Sequence, residues 1–289
     1  MLVNIKQILS VANERNFAVP AFNIGTCQIL KAVIECCEEK ESPVILAIHP
    51  WELEFQGDSF MAACRDFALN AKIPVCIHMD HSESIDEIMH AVRTGFTSVM
   101  IDASKKPFEE NIRISKQVVE LMHPLGITVE AELGTIGSVG NDAEGGTEDI
   151  VYTDPNDVSR FIEETGIDCI AVAIGTAHGI YPDGYVPSLK LGLLSEIKQK
   201  SSVPLVLHGG SANSDAEIAE CVKRGINKIN ISSDIKDALY QRLRLTLSED
   251  PAIREPFQLY KDGINEMKKV ISQKIDLFSS SKKNQFYKY

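Results

Sequence analysis

The sequence has no apolar stretch of the length a bilayer-spanning helix needs and no pair of cysteines at CxxC spacing. The first absence argues against a helical membrane protein. The second, with seven scattered cysteines (Cys27, Cys36, Cys37, Cys64, Cys76, Cys169, Cys221), argues against a cysteine pair that grips a metal or runs redox chemistry. These thiols read instead as small buried apolar groups. Positive charge is scarce: 29 Lys and Arg stand against 41 Asp and Glu, for a formal charge of −12. Nucleic acid and anionic membranes are repelled by such a molecule, and any phosphate ligand must find a local site, with backbone amides the obvious donors. The first ten residues mix Asn4, Lys6 and Gln7 into an apolar run and lack the basic-then-apolar plan of a signal peptide, so a cytoplasmic protein is expected.

What is present is an ordinary globular composition, 44% apolar and 24% charged, in a chain of 289 residues. Short β-rich runs recur at 19–24, 43–49, 74–81, 98–103, 128–133, 169–175, 204–208 and 228–231, each followed by a segment of helical spacing. Several are almost wholly apolar, as strands covered on both faces must be. Pro43, Pro74 and Pro204 open three of them, a position where proline is tolerated. Eight strand–helix units in one domain predict a closed (β/α)8 barrel of the TIM type over 1–278, with a doubly wound open sheet as the alternative. The Gly-rich acidic segment 137–149 reads as a lid loop after strand five, and 279–289 as a flexible tail.

In such a barrel, chemistry gathers at the C-terminal ends of the strands. Unusual polar residues sit there repeatedly: Asn23 on strand one, Asp80 and His81 on strand three, Asp102 on strand four, Glu130 and Glu132 on strand five, His178 just after strand six, His208 on strand seven and Asn230 on strand eight. A lone histidine is more often a satisfied structural residue than a ligand, which is the reading for His49, His78, His90 and His123. Three at strand ends reverse that weighting. Three neutral imidazoles with an open fourth position form a catalytic zinc arrangement, a Lewis acid at a substrate oxygen. Asp102 and Glu132 lie near enough to orient those ligands or to supply a second position, for a divalent or monovalent cation.

A second cluster follows the last two strands: His208-Gly209-Gly210-Ser211 and Asn230-Ile231-Ser232-Ser233. Barrels often bind phosphate there, through backbone amides and helix N-termini. Read blandly, Ser211 and Ser233 are helix caps. Their place in the barrel favours the phosphate reading.

The ordered motifs PAFN at 20–23, DH at 80–81, MIDAS at 100–104, EAELG at 130–134, GTAHG at 175–179, HGGS at 208–211 and NI at 230–231 resemble those of the class II, metal-dependent ketose-phosphate aldolases, which include fructose- and tagatose-bisphosphate aldolases. The resemblance spans about 19–278. It implies that His81, His178 and His208 hold zinc and that Asp80 is the acid/base at the oxygen of the aldehyde-derived half. It also implies that Gly179, Gly209 to Ser211 and Asn230 to Ser233 bind the dihydroxyacetone phosphate half of a phosphorylated sugar, and that the enzyme is a homodimer or homotetramer.

Three departures bear on the sugar. Gly140 stands where many members carry a proton-shuttling glutamate, leaving Asp142, Glu144 or Glu148 for that role. His49-Pro50-Trp51-Glu52 replaces a small hydroxyl residue near the distal phosphate, and Ile264 falls where a late-helix arginine is frequent. The altered distal features predict a ketose 1-phosphate substrate, or another chain whose far end carries hydroxyls. The alternative is a tagatose- or fructose-type bisphosphate whose distal charge is met by Lys105, Lys106 or Arg254. A noncatalytic sugar-phosphate-binding or accessory subunit is the rival from another class. It has no need of an acid/base beside the metal.

Overall fold

A computed structural model describes residues 1–138, 147, 150–179 and 188–288. Eight parallel strands form the barrel: β1 (Val19–Asn23), β2 (Val44–Ile48), β3 (Val75–Ser82), β4 (Ser98–Ile101), β5 (Thr128–Leu133), β6 (Cys169–Val172), β7 (Leu205–Leu207) and β8 (Ile226–Ile231). Each pairs with the next, and the β8–β1 and β3–β4 ladders complete the closure. The expected barrel is therefore the observed one, with most strand ends within a residue or two of those read from the sequence. The clearest differences are at β6, which stops at Val172, and at β8, which begins at Ile226.

Alternation along each strand divides the core in two, because successive side chains point to opposite faces. Outward residues such as Val75, Ile77 and Met79 on β3 or Ile229 and Ile231 on β8 pack under the helices. Inward residues such as Val19, Ala21, Ile45, Cys76, Cys169, Ala171 and Val206 fill the barrel interior. The N-terminal segment joins this interior. Leu2–Val3 pairs with the start of β3, and the helix Ile5–Arg15, held by a capping box between Asn4 and Gln7, buries Ile5, Ile8, Leu9 and Ala12 beneath the barrel.

The segment expected as a flexible tail makes specific contacts. Tyr287 packs in the same inner cluster and its hydroxyl donates to the Ile8 carbonyl at 2.8 Å. Ser280 is buried against Ser42, the Lys282 amide donates to the Lys40 carbonyl, and the Arg15 guanidinium lies over the Phe286 ring. One aromatic with a floor to fill and a few backbone partners suffice to dock this segment.

Candidate active site

β3 delivers two consecutive polar residues to the mouth, which a regular strand cannot do. Asp80 shares the inward face with Cys76 and His78, so His81 belongs by alternation to the outside. The backbone breaks the alternation. His81 has φ +49°, in the left-handed region rare for non-glycine residues, and the β3–β4 register slips between Met79 and Ser82. The ring thereby turns into the mouth, where Nδ1 lies 3.2 Å from Asp102 Oδ2 and Nε2 lies 2.9 Å from His208 Nδ1.

The His178 ring stands edge-on to that of His81, with centroids 4.9 Å apart, and one ligand atom from each of His81, His178 and His208 falls within 4.8 Å of the others. A second set with the same spacing joins His81 to Asp102 and Glu132. All three histidines are buried. His178 lies in a short strand, Ala177–His178, that pairs with Gly137–Ser138, so the base of the loop after β5 is laddered to a ring of the cluster.

Asp80 is gripped from both sides. Asn23 Nδ2 on β1 donates to Oδ2 at 2.9 Å, and Asn230 Nδ2 on β8 donates to both oxygens at 3.0 Å. Burial pushes this carboxyl's pKa up, but His81, His208 and Lys228 outweigh it and hold Asp80 well below the usual carboxylate range. Glu132 goes the other way: burial and the neighbouring Asp102 charge raise it well above its ordinary value, and Oε2 has no hydrogen-bond partner among the described residues.

Beneath the cluster lies a network that the sequence did not reveal. Glu130, placed at the rim from the sequence, lies deeper. It receives the Lys228 ammonium at 2.8 and 2.9 Å across the barrel interior and His208 Nε2 at 2.8 Å, with His78 Nε2 3.6 Å away. Lys228 and Glu130 are fully buried. Burial would neutralise each, but their mutual attraction keeps Glu130 low and Lys228 high, so both are charged. With Glu130 bonded to Nε2 of His208, Nδ1 is the nitrogen left to face the cluster. The only sequence signal was the alternation itself, which puts Lys228 two residues before Asn230 on the inward face.

The phosphate-type loops lie beside this site. The Ser211 hydroxyl accepts from the Ser232 and Asp234 amides, so it caps the N-terminal turn of the neighbouring helix Ser233–Glu249 instead of its own. Asn213 ties the loop shut by donating to the Gly209 and Ser211 carbonyls. Gly209 has φ +61°, and a Cβ there would meet the Ala177 carbonyl at 2.6 Å; at Gly210 a Cβ would meet Ile229 Cγ2 at 2.5 Å and the Asn230 carbonyl at 2.8 Å. Gly210→Ala must therefore displace a loop pressed against β8. A rise in KM of tenfold or more with a smaller change in kcat is expected, measured by steady-state kinetics; an unchanged KM would remove this loop from ligand binding. Ile231 turns its side chain into the outer core, so only its backbone can contribute to a ligand.

These features agree with what the chain is similar to. The family model described as fructose-bisphosphate aldolase class-II matches residues 3–283. The chain belongs to the class II fructose-bisphosphate aldolase family. The YdjI aldolase from Escherichia coli K12 is 34% identical, with 98% of this chain and all of that one covered and a TM-score of 0.84. The fructose-bisphosphate aldolase of Campylobacter jejuni has the same fold at 23% identity, with 98% and 97% of the two chains covered and a TM-score of 0.80. This aldolase is a lyase, and its family implies a phosphorylated sugar as substrate.

Class II aldolases are generally zinc-dependent, and the residues of this aldolase fit such an ion. Three imidazoles converge, His81 and His208 each have the other ring nitrogen turned to a carboxylate, and the unpartnered Glu132 Oε2 lies in the adjoining group of potential ligands. Without a cation, burial lowers the His81 pKa but Asp80 and Asp102 carry it up to about 10, the response of a ring surrounded by anions.

Of the other histidines, His90 pairs with Asp58 and His123 with Asp168, both away from the mouth. His49 caps the helix Pro50–Gln56 with Nδ1, yet its ring lies 6.4 Å from that of His81, closer to the site than a structural reading suggests. Ile264 lines an outer groove of about 690 Å³ with Phe67, Phe257 and Tyr260. That groove lies against the late helix, apart from the histidine cluster. Lys105 faces Glu83 at 3.3 Å. Gly140, Asp142, Glu144, Glu148 and most of the segment 137–149 lie outside the described residues. No described helix is long and apolar enough to cross a membrane.

Proposed function

We propose that this aldolase uses zinc held by His81, His178 and His208 to cleave a ketose 1-phosphate reversibly into dihydroxyacetone phosphate and an aldehyde. The observation that carries the reading is an ionised Asp80, fixed by two amides beside three convergent imidazoles. Bound zinc would supply Lewis acidity at the substrate's oxygens. Asp80 takes the proton of the hydroxyl on the carbon that becomes the aldehyde. Asn23 and Asn230 aim its oxygens, and its depressed pKa leaves it unprotonated at neutral pH, ready to accept. Backbone amides of Gly209, Gly210 and Ser211, with Ser232 and Ser233 at the opening of a helix, would receive the phosphate, and Gly179, with φ +99° beside His178, gives close backbone approach on the same side.

The choice of a 1-phosphate rests on the segment after β2. His49 is largely buried and burial, with His81 beside it, lowers its pKa to about 4, so it brings no positive charge to a second phosphate. Glu52 adds a negative one. On this reading, metal-replete protein releases dihydroxyacetone phosphate from ketose 1-phosphates faster than from the matching bisphosphates, and a chelator abolishes release. Equal or faster bisphosphate cleavage would replace the substrate assignment. Release that survives chelation would remove zinc.

A further inference from the structure

Three neighbouring barrel strands, β8, β1 and β2, bring one ion pair to the Asp80 side of the mouth. The Lys236 ammonium lies 3.5 Å from Glu52 Oε1, with the two side chains 25% and 30% exposed. Lys236 stands one turn into the helix that follows β8, its amide donating to the Ser232 carbonyl. Glu52 stands in the first turn of the helix that His49 caps. Its carboxylate is laid against the backbone of Gly25, where a Cβ would meet Oε1 at 2.6 Å, and Gly25 is two residues beyond the Asn23 that holds Asp80. The pair thus flanks the place where the aldehyde-derived half of a substrate must lie if Asp80 is its base.

We infer that Glu52 is a specificity-determining residue that rejects an anion at the end of the substrate remote from its phosphate. This inference rests on the proposed placement of the aldehyde half beside Asp80. Lys236 is the cation that a distal phosphate would seek at this position, and Glu52 already engages it. A phosphate reaching the ammonium meets the carboxylate as well, in a setting partly shielded from water where like charges are poorly screened. Hydroxyl groups suffer no such conflict, since they donate to Glu52 and accept from Lys236. Discrimination then comes from a repulsive element on one class of substrate more than from a special contact to the other.

The test compares kcat/KM for a ketose bisphosphate and the matching ketose 1-phosphate on the zinc-loaded wild type, Glu52→Gln and the double variant Glu52→Gln/Lys236→Met. The bisphosphate to 1-phosphate ratio is expected to rise about tenfold in Glu52→Gln, the order of one removed like charge, and to fall back toward wild type in the double variant. Glu52→Ser repeats the charge removal if the glutamine variant melts early. A ratio within twofold of wild type in both Glu52 variants overturns the inference. A wild type that prefers bisphosphates overturns the 1-phosphate assignment separately, because the Glu52 effect is read as a change in ratio and not from its starting value.

Discussion

Asp80→Asn should lower kcat by a factor of about 10²–10⁴, the range that a positioned general base contributes, while zinc content and KM change little. Asn23 and Asn230 converge on this carboxylate from adjacent strands. The two donors aim the carboxylate, His81, His208 and Lys228 keep it ionised, and a neutral amide in its place can neither remove a proton nor match both donors. The pH behaviour follows with a definite sign. Because the folded pKa is depressed, the stability that Asp80 contributes is complete above its unfolded value of 3.8 and is lost only as pH falls below it. Asp80 therefore supplies no acid limb to a rate profile near neutrality. The measurement is steady-state kinetics of dihydroxyacetone phosphate release, paired with metal analysis. Activity within tenfold of wild type at full zinc occupancy would refute the assignment of Asp80 as the base.

The second large effect is expected from Lys228→Met, which leaves the Glu130 charge buried with its strongest partner gone. Breaking such a pair costs about 3–5 kcal/mol, far more than a surface ion pair contributes. Denaturant unfolding should show the loss as a lower midpoint. Zinc affinity should weaken as well, because Glu130 also fixes the orientation of His208 through Nε2, and a group that orients a ligand typically changes metal affinity 10–100-fold. A destabilisation below about 1 kcal/mol would mean that Glu130 takes up a proton or finds water at little cost. The double variant Glu130→Gln/Lys228→Met separates the two effects, since it should recover part of the stability without restoring the charged partner of His208.

The strands were legible because their physics is local. Runs such as Val44–Ile48 and Cys169–Val172 are apolar and rich in β-branched residues, and turn or helix signals bound them. The polar rim was legible once the fold was, since a strand's last inward residue must face the mouth. Less was legible where long-range packing decides. The sequence of the N-terminal helix does not announce that it lies beneath the barrel, and Tyr287 docks only because that floor exists. Glu130 looked like one more rim carboxylate; its partner Lys228 lies 98 positions away and becomes a neighbour only on closure. Lys236 was within reach of the sequence: one helical turn beyond Ser232 places it on the side of the phosphate-type loop, but its pairing with Glu52 depends on how the segment after β2 folds.

The left-handed turn at His81 bears on any attempt to move this chemistry elsewhere. The dipeptide Asp80-His81 is compact enough to invite transplantation, yet its two side chains share a cavity only because the strand is bent between them. Copied onto a straight strand of another barrel, the same two letters would deliver a carboxylate to the lumen and an imidazole to the outer helices, or the reverse. What has to be transferred is the fault in the strand, and the pair of residues comes with it.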